Sequence, residues 1–140
     1  MPSLKDRLKA AAHGDGEVPI MSTLGMRLVN FGDGKATLSL EVGKKFHNPM
    51  GTLHGGIMTD VADAAMGIAT ITTLGDDESF STLELKMNFL RPVFEGKITA
   101  EGRVLHRGTT IAMAECVVKN DAGKDVARGT ATQIILRPKE

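Results

Sequence analysis

The residues best equipped for chemistry lie in one stretch, Asn48-Pro49-Met50-Gly51-Thr52-Leu53-His54-Gly55-Gly56, and in the apolar run Ile57 to Leu74 behind it. That run carries two carboxylates, Asp60 and Asp63. Burying an unpaired carboxylate costs far more than burying a neutral side chain, so an acid kept within an apolar segment calls for a physical reason. Gly55-Gly56 supplies one. It lies where the loop turns into the run, and the first amides of a helix have no internal acceptor. The positive end of the helix dipole lies behind them, and glycine lets a ligand atom approach the backbone closely. A pair of such N–H groups suits a carbonyl oxygen that gains negative charge. Asp63 follows His54 by nine residues, about two turns into the helix, where the dipole has faded. Desolvation should then dominate and raise its pKa, fitting it to act as general base or nucleophile.

Each of these residues also has a plainer reading. Asp63 could be a buried acid held by backbone groups, Asn48 a turn residue before proline, and His54 a brace for the loop. Asp60, nearer the positive end of the dipole, reads as structural. The spacing of His47, His54, Asp60 and Asp63 matches no metal motif, so no metal and no cofactor are expected.

The surrounding chain must position these groups. Its 140 residues and 41% hydrophobic content fit one domain with a real core. Lys plus Arg and Asp plus Glu balance at 17 each, with a pI near 6.9, which argues against nucleic acid or an anionic membrane as the main partner. The single Cys116 excludes an internal disulfide and a cysteine-cluster metal site, and it reads as an inert core residue. No secretion signal opens the chain, and a cytoplasmic protein is expected. The run 57–74 has membrane-like length, but its two Asp and several Thr make it a core helix, apolar nearly all round and wrapped by protein on most sides.

Ser3 with Asp6 forms a capping signature for a short helix ending near His13-Gly14, expected to serve packing or oligomer contact. Met26 to Phe31 and Lys35 to Val42 flank the hairpin signal Gly32-Asp33-Gly34. After the long helix, Leu83, Leu85, Met87 and Phe89 alternate with Glu84, Lys86 and Asn88 until Arg91-Pro92 breaks the strand. Ile98 to Arg107, Thr110 to Val118 and Val126 to Leu136 complete an α+β order. A curved antiparallel sheet wrapped round the helix is the arrangement that buries it. Met58, Met66 and Met87 read as core fillers.

This order, with Gly-Thr-Leu-His-Gly-Gly (51–56), Asn48 six residues before His54, Asp63, the strand Leu83 to Pro92 and the late Ala127-Arg128-Gly129-Thr130-Ala131-Thr132, resembles the hotdog fold and, within it, PaaI-type acyl-CoA thioesterases over roughly residues 20–137. The resemblance implies a hotdog domain over 20–140, with five to six strands, preceded by a helix and loop over 1–19. It also implies hydrolysis of acyl-CoA thioesters. Asp63 would activate water or attack the carbonyl, and the Gly55 N–H and Asn48 would hold the thioester oxygen. His54 would shape the site, and a strand hydroxyl would assist the water. Alignment gives Thr82 for that hydroxyl, whereas strand alternation puts Ser81 on the Leu83 face; a bulge would reconcile the two. Gly56, Ser81, Lys86, Arg91 and Arg107 are candidates for substrate contacts, the basic ones with CoA phosphates. Members of the family are dimers or tetramers whose sites join the acid of one subunit to the His-Gly-Gly loop of another, so a homo-oligomer is expected. A non-catalytic acyl-CoA-binding hotdog module and a hotdog hydratase remain the alternatives.

Overall fold

The computed structural model of the chain describes residues 2–139. Helix α1 (Leu4–Ala12) starts at the expected capping box: the Asp6 N–H donates to Ser3 Oγ at 3.1 Å and the Ser3 N–H to Asp6 Oδ2 at 3.3 Å. A second helix, α2 (Pro19–Leu24), was not expected from the sequence. Its signals are present, since Pro19 occupies the first turn and Gly25 ends the helix at φ 82°, but six residues give too little periodicity to register.

Strands β1 (Arg27–Gly32) and β2 (Lys35–Val42) join through Asp33 and Gly34, whose φ values of 53° and 75° make the two-residue turn that matches strand twist. A single 3₁₀ turn (Lys44–Phe46) follows, then helix α3 (Gly55–Ile71) and strands β3 (Ser79–Phe89), β4 (Gly96–Arg107), β5 (Ile111–Lys119) and β6 (Asp125–Leu136). All pairings are antiparallel, in the order β1-β2-β4-β5-β6-β3. Helix α3 packs against all six strands, which is the hotdog arrangement.

The helix can lie close to the sheet because the strands present small residues beneath it. Ala36, Gly102, Cys116 and Gly129 align in register across β2, β4, β5 and β6. A Cβ on Gly102 would fall 2.6 Å from the Ala65 carbonyl oxygen of α3. Above this row Val61, Ala62, Ala65, Met66 and Ala69 are fully buried. Cys116 belongs to the row, and burial pushes its thiol up to about 12, so it stays unreactive.

The helix differs from expectation in two respects. It spans 55–71 rather than 57–74, because Thr72 and Thr73 turn their hydroxyls onto the Ala69 and Thr70 carbonyls, both at 2.7 Å. It is wrapped on most sides, as expected, but the acids are not buried in it. Gly56, Asp60 and Asp63, spaced along one face, are exposed in the single chain. The two acids therefore sit on an open stripe of an otherwise buried helix rather than inside the core.

Candidate active site

Asp63 opens onto a cavity of about 480 Å³. Asp60, Ala64, Gly67, Ile68 and Ile71 of α3 form one wall, and Phe80 and Thr82 of β3 another. The N-terminal segment contributes Leu4, Arg7 and Leu8 of α1, Glu17 and Val18, and Pro19, Ile20 and Met21 of α2. Sequence reasoning gave this segment no place in the site, because nothing in its own pattern shows that it folds back over α3. Burial raises the Asp63 carboxyl above its ordinary value, and the neighbouring Asp60 charge raises it further. The carboxyl is desolvated by the cavity walls yet remains open to water in the single chain.

Strand β3 settles which hydroxyl faces this cavity. Its pairing with β6 slips between Thr82 and Glu84, leaving Leu83 as an extra residue that is 59% exposed. The bulge resets the alternation, so that Phe80 and Thr82 face the helix before it and Leu85 and Met87 after it. Ser81 is exposed and does not line the cavity.

A second cavity, of about 330 Å³, is lined by Asn48, Thr52, Leu53, Gly55, Met58, Phe89 and residues 90–93. Asn48 holds the loop in shape. Its Oδ1 accepts from the Met50 and Thr52 N–H groups at 3.0 and 3.1 Å, and its Nδ2 donates to Thr52 Oγ1 at 2.9 Å. One amide hydrogen of Asn48 is left for a ligand.

The expected pair of free N–H groups is reduced to one. His54 caps α3, and its Nδ1 accepts the Gly56 N–H at 2.9 Å, so a neutral His54 carries its hydrogen on Nε2. A Cβ on Gly56 would collide with that ring at 2.9 Å. The Gly55 N–H has no partner among the described residues. His54 thus braces the helix start, Gly56 makes room for it, and Gly55 keeps the available donor.

The basic candidates separate. Arg91 lines the second cavity and donates from Nη1 to the Asp125 carbonyl at 2.7 Å. Lys86 is exposed on β3, outside both cavities. Arg107 lies at the far end of β4, where Nη2 meets Glu78 Oε1 at 2.5 Å and Nη1 donates to the Gly108 carbonyl. Glu78 also accepts from the Gly75 N–H at 2.7 Å and from Arg137 at 2.5 Å; the Gly75 bond first and the two arginines after it hold its carboxyl below the usual range. Arg107 therefore lines neither cavity.

One chain thus brings Asp60, Asp63 and Thr82 together, and separately Asn48, Gly55 and Arg91. Eight residues of helix, about 12 Å of rise, separate Gly55 from Asp63. Among the described residues no three His, Cys, Asp or Glu side chains converge as a metal-binding group, and no helix is long and apolar enough to cross a membrane.

Comparison with known proteins agrees with this architecture. The family profile described as "Thioesterase superfamily" matches residues 50–127. A Saccharolobus solfataricus protein named "Putative esterase" is 35% identical over 120 residues, spanning 86% of this chain and 85% of its own length. The 1,4-dihydroxy-2-naphthoyl-CoA hydrolase of Listeria monocytogenes is 31% identical over 105 residues, 75% of this chain and 85% of its own. Among solved structures, a thioesterase family protein of Silicibacter pomeroyi superposes with a TM-score of 0.84 at 27% identity, covering 96% of this chain and 98% of that one.

Proposed function

Because the chain belongs to the thioesterase superfamily, we propose that it hydrolyses acyl-CoA thioesters to the free acid and CoA, with each site assembled from two copies. The observation that carries this reading is the split along α3: a carboxylate of raised pKa in one cavity, and an unpartnered helix-start N–H in another. Neither half suffices for acyl transfer, which needs a base or nucleophile and an oxyanion donor within reach of one carbonyl. Strand β3 offers the means of joining them. It is an 11-residue edge strand, with Leu83, Phe89 and Leu90 exposed along it and just beyond. An edge that long, with unpaired backbone groups, is a template for a second strand.

In the assembled site the thioester oxygen accepts from the Gly55 N–H and the free Asn48 amide hydrogen of one copy. Ionised Asp63 of the other copy removes a proton from water as it attacks, or attacks the carbonyl itself and is released by water. Thr82 Oγ orients that water. Collapse of the tetrahedral intermediate expels CoA as the thiolate, which takes up the proton. Arg91, which lines the cavity with Asn48 and Gly55, would meet a CoA phosphate, with Lys86 on β3 as a second candidate. We read residues 20–140 as the hotdog unit, residues 1–19 as its added cover, and the cytoplasm as its compartment.

The test is thiol release from a panel of acyl-CoA thioesters of varied chain length and aromaticity, with sedimentation to determine the assembly. Turnover by a dimer or larger assembly is expected. Tight binding of the panel without any thiol release would instead identify a non-catalytic module.

A further inference from the structure

We infer that Phe80, seated against Gly67, gauges the length of the acyl group and selects an apolar one. The inference rests on the hydrolase reading of the Asp63 cavity and deepens it. From Asp63 the cavity wall continues along one face of α3 through Gly67 to Ile71, eight residues or about 12 Å. Beyond Asp63 these helix positions offer an acyl chain no hydrogen-bonding side chain. Gly67 lies inside the 17-residue helix, about one turn before its end, where glycine is about 1 kcal/mol less favourable than alanine. What it allows is the approach of Phe80, since a Cβ at position 67 would lie 3.3 Å from the ring's outermost carbon. Phe80 also packs on a separate apolar cluster of Leu74, Ala112 and Ile135. The ring therefore lines the cavity and at the same time packs on closely filled core. A smaller side chain at position 80 adds the vacated ring volume to the cavity, whereas a methyl at position 67 takes space from it.

The experiment measures binding of S-alkyl-CoA thioethers of graded length by calorimetry, which needs no turnover. Wild type should show a length optimum. Phe80→Ala, and Phe80→Leu as the milder change, each checked for native fold by circular dichroism, should move that optimum to longer chains. The ratio of long-chain to short-chain affinity should rise roughly fourfold for each further methylene buried. Gly67→Ala should move the optimum the other way. An unchanged length ranking in the folded variants, or no binding of any thioether by wild type, overturns the inference. Thiol release from the matching thioesters is scored separately. A ranking that shifts as expected in a protein that releases no thiol would leave the gauge standing and overturn the hydrolysis.

Discussion

At the residue scale, Asp63 carries opposite demands of stability and activity. An acid whose folded-state pKa lies above its ordinary value of 3.8 holds its proton more tightly when folded. Its contribution to stability is most favourable below the ordinary value and declines as pH rises through the raised one. At neutral pH the ionised carboxylate is therefore a liability to the fold that the chemistry requires. Asp63→Asn should lose about 10³-fold or more in kcat, yet melt at pH 7 no lower than wild type. The two melting temperatures should converge below the ordinary carboxylate value, and thermal scans at both pH values check this. Asp60 is the second cause of the shift, so Asp60→Asn should move the acid limb of the kcat/KM profile to lower pH without abolishing turnover; an unmoved limb would remove Asp63 as the titrating group. At the helix start, Gly55→Pro deletes the one free N–H at a position where proline fits helix geometry and after a residue already extended. The nearest atom to the added Cβ, 3.1 Å away, is the tip of the Phe89 ring, a side chain that can shift rather than backbone. Activity should fall about 10²–10³-fold with circular dichroism unchanged.

At the scale of elements, the site depends on how close α3 lies to the sheet. A Cβ on Gly102 meets helix backbone, at 2.6 Å from the Ala65 oxygen and 2.7 Å from its carbon. The obstacle is not a movable side chain. Gly102→Ala should therefore destabilise by about 1–3 kcal/mol, measured by denaturant titration, and should displace α3 and its acids. Gly129→Ala should be milder, because the nearest atom, 2.5 Å away, is the sulfur of the flexible Met87. The β3 bulge is the other decisive element. A one-residue slip transfers the inward position from one hydroxyl to the next, and it is the bulge at Leu83 that faces Thr82 rather than Ser81 toward Asp63.

At the scale of the molecule, a shared site predicts complementation. Asp63→Asn and Gly55→Pro proteins, each inactive, should on mixing and re-association recover up to about a quarter of wild-type activity, since half of the dimers are mixed and one of the two sites in each is intact. No recovery despite demonstrated subunit exchange would place both groups in one chain's site. The sequence by itself determined the order of the strands and of helices α1 and α3, the capping of α1, the Asp-Gly hairpin and the candidate pair of Asp63 with the His-Gly-Gly bend. Periodicity, caps and turn chemistry are local, and they are written in neighbouring residues. Only the tertiary structure decided that the acids face an open stripe, that His54 takes the Gly56 N–H, that Arg107 is held by Glu78, and that the N-terminal helices roof the cavity. Each of those depends on contacts between segments far apart in the chain, and a residue's own pattern does not record what folds against it.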